Sequence, residues 1–209
     1  MTGNARSAAS SPHRPEPLPP APGEERSPAL ALVNTLTTRG GTPVDELDTP
    51  RRAARWLADR RLTDDGLSLD AAELDGLHRL RQAVRGLLDA AVTGRAPDAR
   101  WVESVNRALS AAPVTATLAW PAGGQPSRHT RVAADRPVAR ALHRLADDTV
   151  SLLCGPDAEA LAACPADGCA RLLLRTHGRR QWCCTRCGDR VRAARHYARR
   201  RAAADLSTD

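Results

Sequence analysis

The feature that most constrains this chain is a cysteine spacing near its C-terminus, Cys164-x4-Cys169-x13-Cys183-x3-Cys187. Two cysteine pairs joined by a short linker can bring four sulfurs to one point. Four thiolates at ~2.3 Å satisfy tetrahedral zinc and leave it no open position. Pro165, Gly168 and Gly188 suit the tight turns that such pairs require. Cys184 offers an alternative pair, Cys184-x2-Cys187, and so stands beside Cys183 as a candidate ligand. A segment this short buries little apolar surface, so the metal must supply folding free energy. The expectation is one structural Zn2+ on Cys164, Cys169, Cys187 and either Cys183 or Cys184. The sixth cysteine, Cys154, ends an apolar helical stretch and reads as a buried structural thiol.

Charge is distributed in step with the cysteines. Residues 1–163 carry 20 Arg against 20 Asp and Glu, whereas residues 164–209 carry 11 Arg against 4 Asp. The whole excess of +7 lies in the segment that holds five of the six cysteines. A basic element tied to a metal motif is the electrostatic footprint of nucleic-acid binding. Arg179, Arg180, Arg190, Arg192, Arg195, His196, Arg199 and Arg200 are the candidate contacts. Some arginines must instead offset the formal −2 of a zinc tetrathiolate, with Arg179, Arg180, Arg186 and Arg190 nearest in sequence. All 31 basic residues are Arg, a choice that fits a GC-rich genome and carries no functional message.

The rest of the chain reads as mainly helical. Residues 1–27 are Pro-rich and polar, and are expected to form a disordered tail. The run 29–36 is apolar but ambiguous between helix and strand, and Gly40-Gly41-Thr42-Pro43 reads as a turn. Thr49-Pro50 opens a helix over ~50–60 that buries Ala53, Trp56 and Leu57. The strongest helix runs from ~70 to 93, with Leu77, Leu80, Val84, Leu87, Leu88 and Ala91 on one face. Asp70 caps it and Gly94 ends it. A further helix over ~98–110 places Trp101, Val105 and Leu109 at four-residue steps, and another spans ~137–153. Between them, residues 114–120 and 128–132 read as a β-hairpin. A basic helix over 189–203, capped by Asp189, should pack Val191, Ala194 and Ala198 on the zinc knuckle. Arg192, Arg195, His196 and Arg199 then share another face.

The stretch Gln181-Trp182-Cys183-Cys184-Thr185-Arg186-Cys187-Gly188-Asp189-Arg190 and the basic run after it resemble the CGNR zinc-finger family. Upstream, Leu32-Val33-Asn34-Thr35, Arg39-Gly40-Gly41 and Thr49-Pro50 resemble the domain that accompanies this finger, described as a stress-induced transcription regulator. The resemblance covers nearly all of residues 29–202. It implies bacterial origin, a treble-clef-like zinc finger and DNA binding. By position it favours Cys183 over Cys184, which stands where members carry Ser. Asp189 replaces the signature Asn, and Arg175 and His177 stand where members usually show Asp and Ser.

The expected organisation is a tail over 1–27, a helical regulatory domain over 28–160 with a hairpin near 114–132, a CGNR-like zinc finger over 161–203, and a tail over 204–209. The expected function is a cytoplasmic, DNA-binding transcription regulator that contacts double-stranded DNA, takes a small-molecule or protein signal at its N-terminal domain and has a homodimer open to it. An RNA-binding or ribosome-associated zinc protein fits the same charge, since phosphate attraction does not depend on sequence. A redox- or metal-sensing zinc-thiolate protein fits Cys184 as an extra thiol. No nucleophile elbow, P-loop, dinucleotide fingerprint or His-Glu-x-x-His occurs, so no catalytic residue is expected. No apolar run is long enough to span a membrane, and no signal peptide is evident.

Overall fold

A computed structural model of the chain describes residues 18–39, 41–112, 114–132, 136–175 and 181–205. Among these are six α-helices and three two-stranded antiparallel sheets. The core is built almost wholly from leucine, valine and alanine, as a chain without Phe requires.

The apolar run 29–36 resolves into both alternatives. Helix α1 (Pro28–Val33) is followed by strand β1 (Leu36–Arg39), which pairs with β2 (Thr42–Asp45). Ser27 caps α1 by accepting from the Leu30 N–H, and Pro28 takes the first helical position. Residues 29–33 are all buried, so this short helix is held by burial on every side rather than by propensity. Of the turn expected over 40–43, Thr42 and Pro43 instead belong to β2, and Gly41 at φ +83° lies just before it in the hairpin connection. Hairpins this short leave too few residues for alternation to show.

Helices α2 (Pro50–Asp59), α3 (Ala71–Thr93), α4 (Ala99–Ala111) and α5 (Pro137–Cys154) follow the expected pattern closely. Asp70 and Glu73 form a reciprocal capping box on α3, and Gly94 closes it in the left-handed conformation. Leu77, Leu80, Val84, Leu87 and Leu88 are buried, but Ala91 is exposed and Ala90 is buried in its place. Trp56 is only half-buried, with the Arg60 guanidinium 4.8 Å above its ring. Gly86 lets α4 approach α3, because a Cβ there would collide with the Trp101 ring. Strands β3 (Val114–Ala119) and β4 (Ser127–Val132) form the expected hairpin, with Leu118 and Trp120 exposed. Cys154 is exposed, contrary to expectation: Leu152 of α5 is buried, and two residues on the helix has turned outward.

Two three-residue strands escaped the sequence pattern, β5 (Leu161–Ala163) and β6 (Leu172–Leu174). They join the finger to the helical core. Leu172 and Leu174 enter the helical core, whereas Leu173 between them packs with Cys164, Cys183 and Cys187. One strand thus serves two cores through the period-2 alternation of its side chains. Helix α6 (Thr185–Asp205) completes the chain.

The disordered tail expected over 1–27 does not reach residue 27. Residues 18–27 dock on this junction, with Ala21 packed among the cysteines and Glu24 buried. The Leu174 N–H donates to the Pro22 carbonyl at 2.8 Å, extending the β6 edge. Residues 1–17 lie outside the described residues.

Candidate metal centre and basic helix

The four expected ligands converge. The sulfurs of Cys164, Cys169, Cys183 and Cys187 all lie within 4.8 Å of one another. Cys169 Sγ is 3.7 Å from Cys183 Sγ, and Cys183 Sγ is 3.5 Å from Cys187 Sγ. A tetrahedron with ~2.3 Å zinc–sulfur bonds has edges of ~3.8 Å. Cys164, Cys183 and Cys187 are buried, and Cys169 is half-buried. The donor set and its spacing fit one zinc ion.

Local structure explains the convergence. Cys164 follows β5 and Cys169 precedes β6, so the first pair sits in the turn of a hairpin. The Cys169 N–H donates to the Ala166 carbonyl at 2.9 Å, and Gly168 at φ +66° supplies the left-handed residue this knuckle needs. Cys183 precedes α6, and Cys187 lies in its first turn. A hairpin knuckle facing a helix start is the treble-clef-like arrangement that the resemblance implied.

The thiols conflict electrostatically without a cation. S–H donation from Cys169 and Cys183 holds Cys164 well below the ordinary thiol range. Cys183 is pushed up, first because its proton serves Cys164 and Cys169, then by burial. Burial pushes Cys187 up to about 12. A divalent cation at the centre removes the conflict and makes four thiolates the stable state.

Cys184 stands outside the four-sulfur group, although its Sγ lies 3.9 Å from Cys183 Sγ. It is half-buried. Arg190 points Nη2 at Cys187 Sγ at 3.8 Å, the expected charge compensation. Arg186 is exposed, and Arg179, Arg180 and His177 lie outside the described residues.

The basic helix differs from expectation in two respects. It begins at Thr185 rather than 189, so Asp189 is not its cap but lies inside it and bonds Arg192 at 2.5 Å. Only Val191 packs on the cysteine cluster; Ala194 and Ala198 are exposed. Arg192 is held over the Trp182 ring at 5.6 Å. Arg195, His196, Arg199 and Arg200 are exposed.

Sequence reasoning missed a buried polar network that fixes the finger in place. Arg171 (3% exposed) donates Nη2 to Glu24 Oε1 at 2.6 Å and Nη1 to the Pro19 carbonyl at 2.9 Å. Asn34 Nδ2 donates to the same Glu24 oxygen at 2.7 Å. Asn34 also brackets the Leu172 backbone, donating to its carbonyl and accepting from its N–H, both at 2.9 Å. Burial would lower the Arg171 pKa, but the Glu24 charge and hydrogen bond outweigh it and the net shift is upward. Arg85 Nη1 of α3 further donates to the Ala170 carbonyl, beside ligand Cys169. The only sequence signal was the Asn34 position within the upstream resemblance.

Two family profiles match. The ABATE family, described as "Putative stress-induced transcription regulator", matches residues 26–156, more than half of the chain. The CGNR zinc finger matches residues 161–200. No curated protein matches the chain. Four converging cysteines at a hairpin turn and a helix start, docked on this helical domain, agree with both matches, and the chain belongs to the ABATE family of transcription regulators with a C-terminal CGNR zinc finger.

Proposed function

We propose that the chain is a DNA-binding transcription regulator in which zinc bound by Cys164, Cys169, Cys183 and Cys187 orients α6, and α6 contacts duplex DNA. The observation that carries this reading is the basic face of α6. Arg192, Arg195, His196 and Arg199 follow i, i+3, i+4, i+7, and each is exposed. From Arg192 to Arg201 every residue of α6 is exposed, and Arg195, Arg199 and Arg200 have no carboxylate partner among the described residues. A free helix ~10–12 Å across fits the ~12 Å major groove. Arg192 acts differently: its bond to Asp189 and its stacking on Trp182 tie it to the finger. The helical domain over 28–160 is the regulatory part of this reading.

The test is fluorescence anisotropy of the zinc-loaded protein on labelled duplex DNA and structured RNA at matched salt. About four phosphate contacts give a log affinity against log salt slope of about −3.6. Arg195→Ala should weaken binding to all duplexes and reduce that slope by about one. Far tighter binding to structured RNA would overturn the DNA reading in favour of an RNA-binding zinc protein.

A further inference from the structure

A cleft of about 560 Å³ lies between the β1–β2 hairpin and α3. Val33, Leu36, Pro43 and Ala170 supply apolar wall, and His78, Arg81, Gln82 and Arg85 of α3 close the other side. Ala170 belongs to the finger and directly follows Cys169, so the cleft spans the boundary between the two family matches.

Both cations in the wall are neutralised. Arg81 makes a two-bond pair with Asp45, at 2.7 and 2.6 Å, and donates to Thr35 Oγ1 at 3.0 Å. Arg85 pairs with Asp89 at 2.7 Å and donates to the Ala170 carbonyl. The cleft therefore offers no net charge to a ligand, and an ion entering it would lose water without gaining a free counter-charge. Two features point to an occupant. Leu36 stands 45% exposed at the cleft, an apolar side chain left to water. Thr37, 4% exposed, also lines it, and its buried Oγ1 has no hydrogen-bond partner among the described residues. Such an atom is costly to leave unpaired, and a turn of the Thr37 side chain toward the cleft would let a ligand group satisfy it.

We propose that this cleft is an effector site for an uncharged, mainly apolar small molecule carrying one hydrogen-bonding group. It deepens the regulator reading above by assigning the site of the signal. The link to the finger is direct, because the cleft includes Ala170 and the Arg85 side chain that holds the Ala170 carbonyl. A ligand that shifts either side chain alters the knuckle at Cys169.

The test uses the full-length, zinc-loaded protein and no nucleic acid, so its outcome is independent of the DNA reading. The probe is N-phenyl-1-naphthylamine, an uncharged fluorophore with one N–H. Its fluorescence should rise saturably at one site per chain. Leu36→Asp should weaken binding by about tenfold through lost apolar contact. Gln82→Trp, at an exposed position, should block the cleft by filling it. Thr37→Val should weaken binding about threefold by removing the acceptor. Leu118→Asp, on the projecting hairpin, should change nothing. Saturating probe should also change the rate at which a chromophoric chelator takes zinc from the protein by twofold or more. The effector site is overturned if no saturable signal appears, or if binding survives both Leu36→Asp and Gln82→Trp unchanged. An unchanged zinc-transfer rate overturns the link to the finger.

Discussion

Glu24→Ala tests the finding that the segment before α1 belongs to the folded protein. Glu24 is 6% exposed and is the only carboxylate bonded to Arg171 among the described residues. Its removal leaves a buried guanidinium with a single carbonyl partner, Pro19, and takes one acceptor from Asn34. Breaking a buried pair from one side costs ~3–5 kcal/mol. For a chain of this size each kcal/mol moves Tm by ~2–4 °C, so Tm should fall by roughly 6–20 °C. Glu24→Gln keeps an oxygen for both donors and loses only the charge, so its effect should sit at the low end. Combining Glu24→Leu with Arg171→Met should recover much of the loss, because apolar replacement of a buried pair is often neutral. The assay is thermal unfolding of zinc-loaded protein by circular dichroism, with zinc content measured before the scan. A Tm shift below ~3 °C for Glu24→Ala, with zinc retained, would refute the docked arrangement of residues 18–27.

Three further outcomes follow from the geometry. Cys187→Ser should lose the metal and unfold the finger, while Cys184→Ser should keep near-stoichiometric zinc by elemental analysis, because only Cys187 belongs to the four-sulfur group; the reverse result would assign Cys184 as the ligand. Asp148 is half-buried and its pKa is raised by burial, although the Ala29 N–H and the Ser27 hydroxyl act against the shift. With the folded pKa above the unfolded one, its effect on stability is most favourable below about pH 4 and is lost as pH rises through the folded value; Asp148→Asn should therefore flatten the Tm profile as pH rises above about 4, and an unchanged profile would count against the raised pKa. Gly86→Ala should destabilise by ~1–3 kcal/mol, because the added methyl meets the Trp101 ring; a neutral result in denaturant titration would show that α4 can retreat.

Legibility in the sequence followed the range of each interaction. The helices over 50–59, 71–93, 99–111 and 137–154 announce themselves through local caps and a repeating apolar face. The cysteine ligands announce themselves because metal pairs need short, regular spacing. What stayed hidden depends on partners remote in sequence. Glu24 and Arg171 are 147 residues apart, and no local pattern marks either as paired. Leu172-Leu173-Leu174 is uniformly apolar, so its division between two cores cannot be seen until both flanks are placed. Cys154 misled for the opposite reason: an apolar neighbourhood in sequence says nothing of which way the last turn of a helix faces.

The shared strand gives the regulator reading its physical basis. A finger on a flexible linker could bind DNA without reporting the state of the rest of the chain. Here the first cysteine pair sits in the turn of β5–β6, whose own leucines fill the helical core. Asn34 clamps that strand from α1, Arg85 holds Ala170 from α3, and Glu24 holds Arg171 from the docked N-terminal segment. Movement of α1 must therefore break the buried Asn34 bonds or carry the knuckle with it, and movement of α3 must release the part-buried Arg85 bond or do the same. Unpaired buried groups cost ~1–3 kcal/mol each, so carrying the knuckle is the cheaper course. Zinc held by the four cysteines would tie that displacement to α6, since Cys187 lies in its first turn. Over the length of α6 a small rotation at that centre would become a larger sweep of Arg195, Arg199 and Arg200, the side chains proposed to meet phosphate.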